Sequence, residues 1–126
     1  MPDVLMDLDT LCGCLSKLRC PFLPQEELLH QAVADCLEKE GLSFLHEAII
    51  GPHCRIDFLV QGIGIEIKKA KPNGKQLLSQ LERYAACEMV QGLIVLLPGR
   101  IKLPTQSNGK PIRSINLNAL WGVALS

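Results

Sequence analysis

Apolar residues recur at intervals of three and four in two long segments of the chain. Between residues 25 and 40 the apolar positions are Leu28, Leu29, Ala32, Val33, Cys36 and Leu37. Between residues 76 and 90 they are Leu77, Leu78, Leu81, Ala85 and Met89. This spacing predicts two amphipathic helices, which we expect to end at Gly41 and Gly92. A shorter repeat at Leu11, Leu15 and Leu18 predicts a further short helix before Pro21.

Runs rich in β-branched residues predict strands between and after these helices. Residues 43–50 form an extended segment before a Gly-Pro turn, and residues 55–60 and 63–68 flank a Gln-Gly pair. The second and third of these runs predict a hairpin. Residues 93–97 predict a buried strand, and residues 98–111 a loop. We expect residues 112–125 to end the fold with a strand or short helix around Trp121.

The order helix, strand, strand, strand, helix, strand predicts an α/β fold with a mixed central sheet flanked by helices. The chain has 126 residues, 48% of them hydrophobic, which excludes global disorder. We interpret residues 1–24 as an N-terminal appendage and residues 25–126 as a single domain. No apolar run approaches the roughly 20 residues of a membrane-spanning helix, and the acidic N-terminus is unlike a secretory signal. A cytoplasmic protein without a membrane partner is therefore expected.

Charge is unevenly distributed although the net charge is zero. Residues 1–54 hold 3 Lys or Arg and 9 Asp or Glu, whereas residues 55–126 hold 10 and 4. The basic half favours a polyanionic partner, although charge runs are also typical of solvated faces. The six cysteines lack the spacing of the common zinc modules, so free thiols are expected.

Polar residues interrupt the second and third strands, where burial would make them costly. Asp57 and Glu66 each lie between two large apolar residues. Glu66 and Lys68 are two residues apart, so their side chains point to the same face, about 7 Å apart along the strand. An acid and an amine therefore share one surface.

The helices add further polar groups. At 100° per residue, Glu26 lies about 70° from the centre of its apolar stripe and can face the sheet, whereas Glu27 lies nearly opposite. Gln80 and Tyr84 are four residues apart and are neighbours on one helix face. The three histidines lack the spacing of a helical ligand pair and are expected at the surface or in turns; they are His30, His46 and His53.

Carboxylates and a lysine on one rigid surface suit metal-assisted hydrolysis of a phosphodiester. Mg²⁺ prefers oxygen ligands and keeps several waters, and the candidate ligands are Asp57, Glu66 and the backbone carbonyl of Ile67. A bound metal would lower the pKa of a water, and Lys68 would orient that water or stabilise developing negative charge. In the structural alternative, Asp57 caps a turn or pairs with Arg55, and Glu26 only serves the first turn of its helix.

Asp57, followed after eight residues by Glu66-Ile67-Lys68, resembles the PD-(D/E)XK nuclease superfamily. Helical Glu26 precedes this motif, and Gln80 and Tyr84 follow it with the Gln-x-x-x-Tyr spacing of the RecB-type branch. The resemblance covers residues 25–97. The position before the motif aspartate is often Pro in this superfamily and is isoleucine here.

The resemblance implies a restriction-endonuclease-like αβββαβ core that cleaves DNA or RNA with Mg²⁺ or Mn²⁺. It implies Asp57 and Glu66 as metal ligands, Lys68 as the catalytic lysine and Glu26 as an accessory acid. Gln80 and Tyr84 become secondary active-site residues. The iron–sulfur branch of RecB-type nucleases needs cysteines after the core, and since none follows Cys87, no cluster is implied.

Nucleic acid is the expected partner, with DNA favoured over RNA. Lys69, Lys71 and Lys75 lie beside the motif, where a phosphate backbone would pass, and Arg83 is a further candidate contact. So small a chain has little surface for reading bases, which favours recognition of a structure or an end, and a homodimer. Two alternatives stay open: a catalytically silent nucleic-acid-binding or assembly module on the same fold, and a protein-interaction subunit with structural hairpin acids.

Overall fold

The computed structural model describes residues 7–18 and 26–117, and within these ranges the chain forms six strands and three helices. The helices are α1 (Leu8–Leu15), α2 (Glu26–Lys39) and α3 (Gly74–Ala85). The strands are β1 (Leu45–Gly51), β2 (Cys54–Val60), β3 (Ile63–Ile67), β4 (Gly92–Leu97), β5 (Gln106–Ser107) and β6 (Lys110–Asn116). They form one mixed sheet in the order β1-β2-β3-β4-β6-β5. The predicted α/β class is thus confirmed.

Short turns connect the first three strands, whereas a helix connects the third to the fourth. β1, β2 and β3 pair antiparallel, and α3 carries the chain to β4, which runs parallel to β3. β6 is parallel to β4 and antiparallel to β5. In the β2–β3 turn, Gln61 and Gly62 have φ values of 48° and 87°, the paired positive values that a tight primed turn requires. The predicted hairpin is therefore present.

The sheet is covered on both faces by apolar cores. The α1/α2 core contains Leu11, Leu15, Leu29, Val33 and Leu37 from the helices, packed against Phe58, Ile65 and Ile94 of the sheet. The α3 core contains Leu77, Leu81 and Ala85, packed against Ile56, Leu93 and Val95. β3 and β4 are buried along their whole length because helices cover both of their faces.

The helix predicted over residues 76–90 ends earlier than expected. α3 stops at Ala85, and Gly92 begins β4 instead of ending a helix. The Gln91 N–H donates to the carbonyl of Gly62 at 2.6 Å, so the chain must leave the helix to join the end of the β2–β3 hairpin. Met89, expected on the apolar stripe, is 47% exposed as a result.

The region predicted as a loop contains β5 and the start of β6. Asn108 and Gly109 have φ values of 53° and 76° and form the turn between these strands. Asn-Gly is the strongest short-range hairpin signal, so the sequence contained this information. The expected strand around residue 112 is present as β6, whereas Trp121 lies outside the described residues.

The N-terminal helix contributes to the core. Leu11 and Leu15 of α1 have no exposed surface, and the boundary predicted after residue 24 lies outside the described residues. The cysteines at positions 12, 14, 36, 54 and 87 are free thiols. Within residues 7–18 and 26–117, no helix is long and apolar enough to cross a membrane.

Candidate active site

The polar residues predicted to form a site lie where the β2–β3 hairpin opens. Phe58 pairs with Ile65, and one step beyond this last pair the same register places Asp57 opposite Glu66. Directly opposed residues of antiparallel strands are nearest neighbours across the ladder. The hairpin register therefore brings together two carboxylates that are nine residues apart in the chain.

The side-chain alternation of β2 breaks at Asp57. Ile56 packs in the α3 core and Phe58 in the α1/α2 core, although residues two apart in a regular strand share a face. On β1, the register places Glu47 opposite Asp57, and Glu47 has a φ of 53°, which is uncommon for a residue with a side chain. This local irregularity lets Asp57 reach across to the end of β3.

The carboxylate of Asp57 is held by the backbone of β3. Its Oδ2 accepts a hydrogen bond from the N–H of Ile67 at 2.7 Å. In an extended strand the N–H and C=O of one residue point to the same side, so the carbonyl of Ile67 also faces Asp57. The second oxygen, Oδ1, lies 3.9 Å from Nε2 of His30 on α2.

Three neighbouring side chains contact the carboxylate of Glu66. Lys68 Nζ lies 3.1 Å from its Oε2, and Gln80 Nε2 donates to the same oxygen at 3.4 Å. The hydroxyl of Tyr84 lies 3.1 Å from Oε1. β3 therefore supplies the acid and the amine on one face, as their spacing predicts, and α3 supplies two groups that fix the acid.

Tyr84 connects α3 to two strands at once. Its hydroxyl lies 2.9 Å from the carbonyl of Arg55 as well as 3.1 Å from Glu66, and accepts from Gln80 Nε2 at 2.9 Å. Because the hydroxyl has one proton, it donates to one of the two acceptors at a time. The four-residue spacing of Gln80 and Tyr84 is what places both on this face of the helix.

Negative charge at this end of the sheet is only partly compensated. Burial raises the pKa of Asp57, against the opposing effects of the Ile67 N–H and of the neighbouring His30 and Lys68. Burial, followed by the charge of Asp57, raises the pKa of Glu66. Burial and the Glu66 carboxylate raise the pKa of Tyr84, which is therefore a neutral hydroxyl at physiological pH. Among the described residues, Lys68 supplies the lysine ion pair of this cluster, with its Nζ 3.1 Å from Glu66 Oε2.

His30 belongs to the site, which corrects the expectation that all three histidines lie at the surface or in turns. It is 9% exposed, its Nδ1 lies 2.9 Å from His46 Nε2, and its Nε2 has no hydrogen-bond partner within residues 7–18 and 26–117. That Nε2 faces Asp57 at 3.9 Å and Glu26 at 3.8 Å. The sequence signal was its position four residues after Glu26, on the same helix face. His46 and His53 are exposed, as expected.

The other predicted residues surround this cluster at greater exposure. The side chain of Glu26 is 65% exposed and reaches the cluster through His30. Arg55, considered as a partner for Asp57, instead lies 4.0 Å from Glu47. Lys69 and Lys71 are exposed on the segment between β3 and α3, Lys75 is exposed in the first turn of α3, and Arg83 is exposed near its end.

The donor set fits a hard divalent cation. Asp57 and Glu66 offer carboxylate oxygens whose mutual repulsion such an ion would relieve, and the carbonyl of Ile67 faces the same space. Among the described residues, no cluster of three His, Cys, Asp or Glu side chains is arranged to hold a metal. The fit therefore depends on two carboxylates and one carbonyl, with water completing the shell, which is usual for Mg²⁺.

Comparisons of this chain with protein-family models, with curated proteins and with solved structures find no match.

Proposed function

We propose that this protein is a divalent-metal-dependent nuclease of the PD-(D/E)XK type, acting on DNA in preference to RNA. The observation that carries the proposal is the convergence of Asp57, Glu66 and Lys68 at the open end of one hairpin. The contacts of Gln80 and Tyr84 with Glu66 support it, because groups that hold a carboxylate in one orientation are typical of the surroundings of metal ligands. The element order from α2 to β4 is αβββαβ, the order expected of a restriction-endonuclease-like core, and this agreement supports the proposal.

Each residue has a distinct role in this proposal. Asp57, Glu66 and the carbonyl of Ile67 would hold Mg²⁺ or Mn²⁺, which when bound supplies an activated water and neutralises charge on the phosphate. Lys68 keeps its ammonium beside Glu66 and stabilises negative charge that develops on the phosphate oxygens. Gln80 and Tyr84 hold the Glu66 carboxylate in one orientation.

The α2 residues contribute from the other side of Asp57. The Nε2 atom of His30 is buried and faces Asp57. Because this nitrogen is already shielded from bulk water, the ring can orient a water or a substrate oxygen without first losing a hydration shell. Glu26 adds an accessory carboxylate at the edge of the same space. Both groups depend on the docking of α2 against β1 and β2, where the His30 ring packs beside Phe58.

A cleavage panel tests the proposed function. Labelled single-stranded, double-stranded and branched DNA, with matched RNA, would be incubated with the wild type and Lys68→Ala, in Mg²⁺, Mn²⁺ or a chelator. We expect metal-dependent cleavage by the wild type and a loss of at least about 100-fold in Lys68→Ala. Salt-dependent binding by both proteins without cleavage would instead identify a silent nucleic-acid-binding module.

A further inference from the structure

Two cavities of opposite character flank the candidate active site. Among the described residues, the α3 cavity, of about 290 Å³, has two cationic and three amide side chains in its wall and no carboxylate; these residues are Lys68, Asn73, Gln76, Gln80 and Arg83. The α2 cavity, of about 430 Å³, has three carboxylates and no lysine or arginine from the described part of the chain in its wall; the carboxylates are Glu26, Glu27 and Glu47, beside His30 and His46.

The α3 cavity opens directly onto the catalytic groups. Lys68 and Gln80 line it, and both also contact the Oε2 atom of Glu66. Arg83 lies three residues beyond Gln80 on the same helix, with its Nη1 3.3 Å from Ser79 Oγ. A group bound in this cavity is therefore next to the position at which a phosphodiester would be cleaved.

The chemistry of the α3 cavity suits one phosphate and its sugar. Guanidinium and ammonium groups bind phosphate oxygens through charge-assisted hydrogen bonds, and amide side chains donate neutral ones. The exposed Lys69, Lys71 and Lys75 extend the positive charge on this side of the site. The cavity is at the small end of the range for ligand pockets, which excludes a large ligand held entirely inside it.

The α2 cavity has the opposite effect on a nucleic-acid backbone. A strand that continued through it would place phosphates among three carboxylates, within the screening length of about 8 Å at physiological salt. Such a path would cost affinity, whereas a strand that ends at the catalytic groups avoids it. The cationic cavity on one side of the site and the acidic cavity on the other therefore disfavour a strand that runs through both.

We propose that the α3 cavity binds the phosphate adjacent to the one that is cleaved, and that the substrate is a strand terminus. This inference rests on the proposed nuclease function and names its substrate class. The nucleic-acid strand approaches across α3 past Arg83, and its end lies at the acidic α2 cavity.

Binding to a single-stranded oligodeoxynucleotide tests the subsite. Asp57→Asn serves as the non-cleaving parent, into which Arg83→Gln, Glu27→Gln and the control Lys39→Gln are introduced. Lys39 ends α2, about 20 Å from Glu26 by helix rise, and Lys39→Gln makes the same charge change as Arg83→Gln. We expect Arg83→Gln to weaken binding about tenfold and to reduce the log–log salt slope by about 0.7, with the other two variants within about twofold.

Two results would overturn the subsite assignment. The first is binding by Arg83→Gln equal to that of the parent. The second is binding that Glu27→Gln tightens as much as Arg83→Gln weakens it, which would place the strand in the α2 cavity.

Cleavage of linear DNA and of the same sequence closed into a covalent circle tests the need for a terminus. The inference predicts cleavage of the linear form by the wild type and at least about tenfold slower cleavage of the circle. Equal cleavage of both forms would overturn the inference and leave the proposed nuclease function intact. Cleavage of neither form would overturn the proposed function, and the inference with it.

Discussion

The two oxygens of Asp57 have different surroundings, and this difference is testable. Oδ2 accepts the Ile67 N–H, whereas Oδ1 faces the Nε2 of His30, which has no hydrogen-bond partner among the described residues. An asparagine at position 57 can keep the first contact and place its amide nitrogen beside the histidine ring. It also removes a buried negative charge from beside Glu66. Asp57→Asn should therefore preserve the fold while removing a proposed metal ligand.

The stability of the metal-free protein should depend on pH through Asp57. Its pKa is raised in the folded state, so the folded state holds the proton more tightly than the unfolded chain does. The Asp57 contribution is therefore fully present below the unfolded carboxyl pKa of about 4 and is lost as pH rises through the folded value. We expect Asp57→Asn to match the wild type near pH 4 and to exceed its Tm by a few degrees near pH 7.5.

Thermal unfolding of both proteins at the two pH values, in chelator, measures this effect. Mg²⁺ should raise the Tm of the wild type and leave that of Asp57→Asn unchanged, because only the wild type keeps both carboxylates. A variant that is less stable than the wild type at both pH values would contradict the account of Asp57.

Tyr84 is predicted to act through Glu66. Tyr84→Phe removes the group shared by Arg55, Glu66 and Gln80, at a cost of about 1 kcal/mol in unfolding free energy. Because residues that orient metal ligands affect both metal affinity and rate, we expect activity to fall by about 10 to 100-fold. The Mg²⁺ concentration for half-maximal activity should rise as well.

A matched control separates this effect from lost stability. Ile115→Val, in the α1/α2 core, should cost a similar amount of about 1 kcal/mol without touching the site. If Tyr84→Phe and Ile115→Val gave the same activity and the same Mg²⁺ dependence, the positioning role would be wrong.

Residue patterns predicted which side chains interrupt apolar strands but not how α2 docks. Asp57 and Glu66 are conspicuous between large apolar neighbours, and Gln80 and Tyr84 share a helix face by spacing alone. His30 was missed because its partners lie on β1 and β2, and only tertiary packing brings their side chains to it. The break in alternation at Asp57, opposite the positive φ of Glu47 on β1, likewise has no signal in the local sequence.

At the scale of elements, Gly64 on β3 leaves room for the side chains of Ile56 on β2 and Leu93 on β4 to pack against the strand. A Cβ atom added to Gly64 would lie 2.4 Å from Ile56 Cδ1 and 3.0 Å from Leu93 Cδ2. Both neighbours have no exposed surface, so they have little room to move. β3 must therefore carry a glycine for β2 and β4 to pack at their observed positions.

Gly64→Ala should destabilise the protein by about 1 to 3 kcal/mol through overpacking, which lowers the Tm by several degrees. Gly13→Ala is the matched control, because position 13 is in α1 and has no atom within 4 Å of an added Cβ. There, alanine should leave stability unchanged or raise it by up to about 1 kcal/mol. Equal Tm values for Gly64→Ala and the wild type, measured by circular dichroism, would show that Ile56 repacks freely.

Element types were predicted more successfully than element ends. The hairpin, the buried strand β4 and the helix α2 followed from periodicity and turn residues. The end of α3 did not, because the contact of Gln91 with Gly62 overrides a helical pattern that continues to Met89. Leu28, part of the predicted stripe of α2, is 49% exposed because the helix turns His30 toward the sheet instead.

At the scale of the whole molecule, the charge split along the chain becomes a charge difference across the site. The acidic α2 cavity is built from residues before position 55, including Glu26, Glu27 and Glu47. The cationic α3 cavity is built from residues after it, including Lys68 and Arg83. The charge distribution along the sequence predicted a polyanionic partner for the basic half. It could not predict that the acidic half lies beside the same site, because only the folded structure brings the two halves together.

The most direct test of the central claim is metal-dependent cleavage of DNA by the wild type beside Asp57→Asn. The variant is expected to be folded and at least as stable near pH 7.5, so lost activity cannot be attributed to unfolding. The account predicts labelled cleavage products from the wild type with Mg²⁺ or Mn²⁺, and none above background from the variant or from either protein in chelator. Equal cleavage by both proteins, or cleavage that persists in chelator, would contradict it.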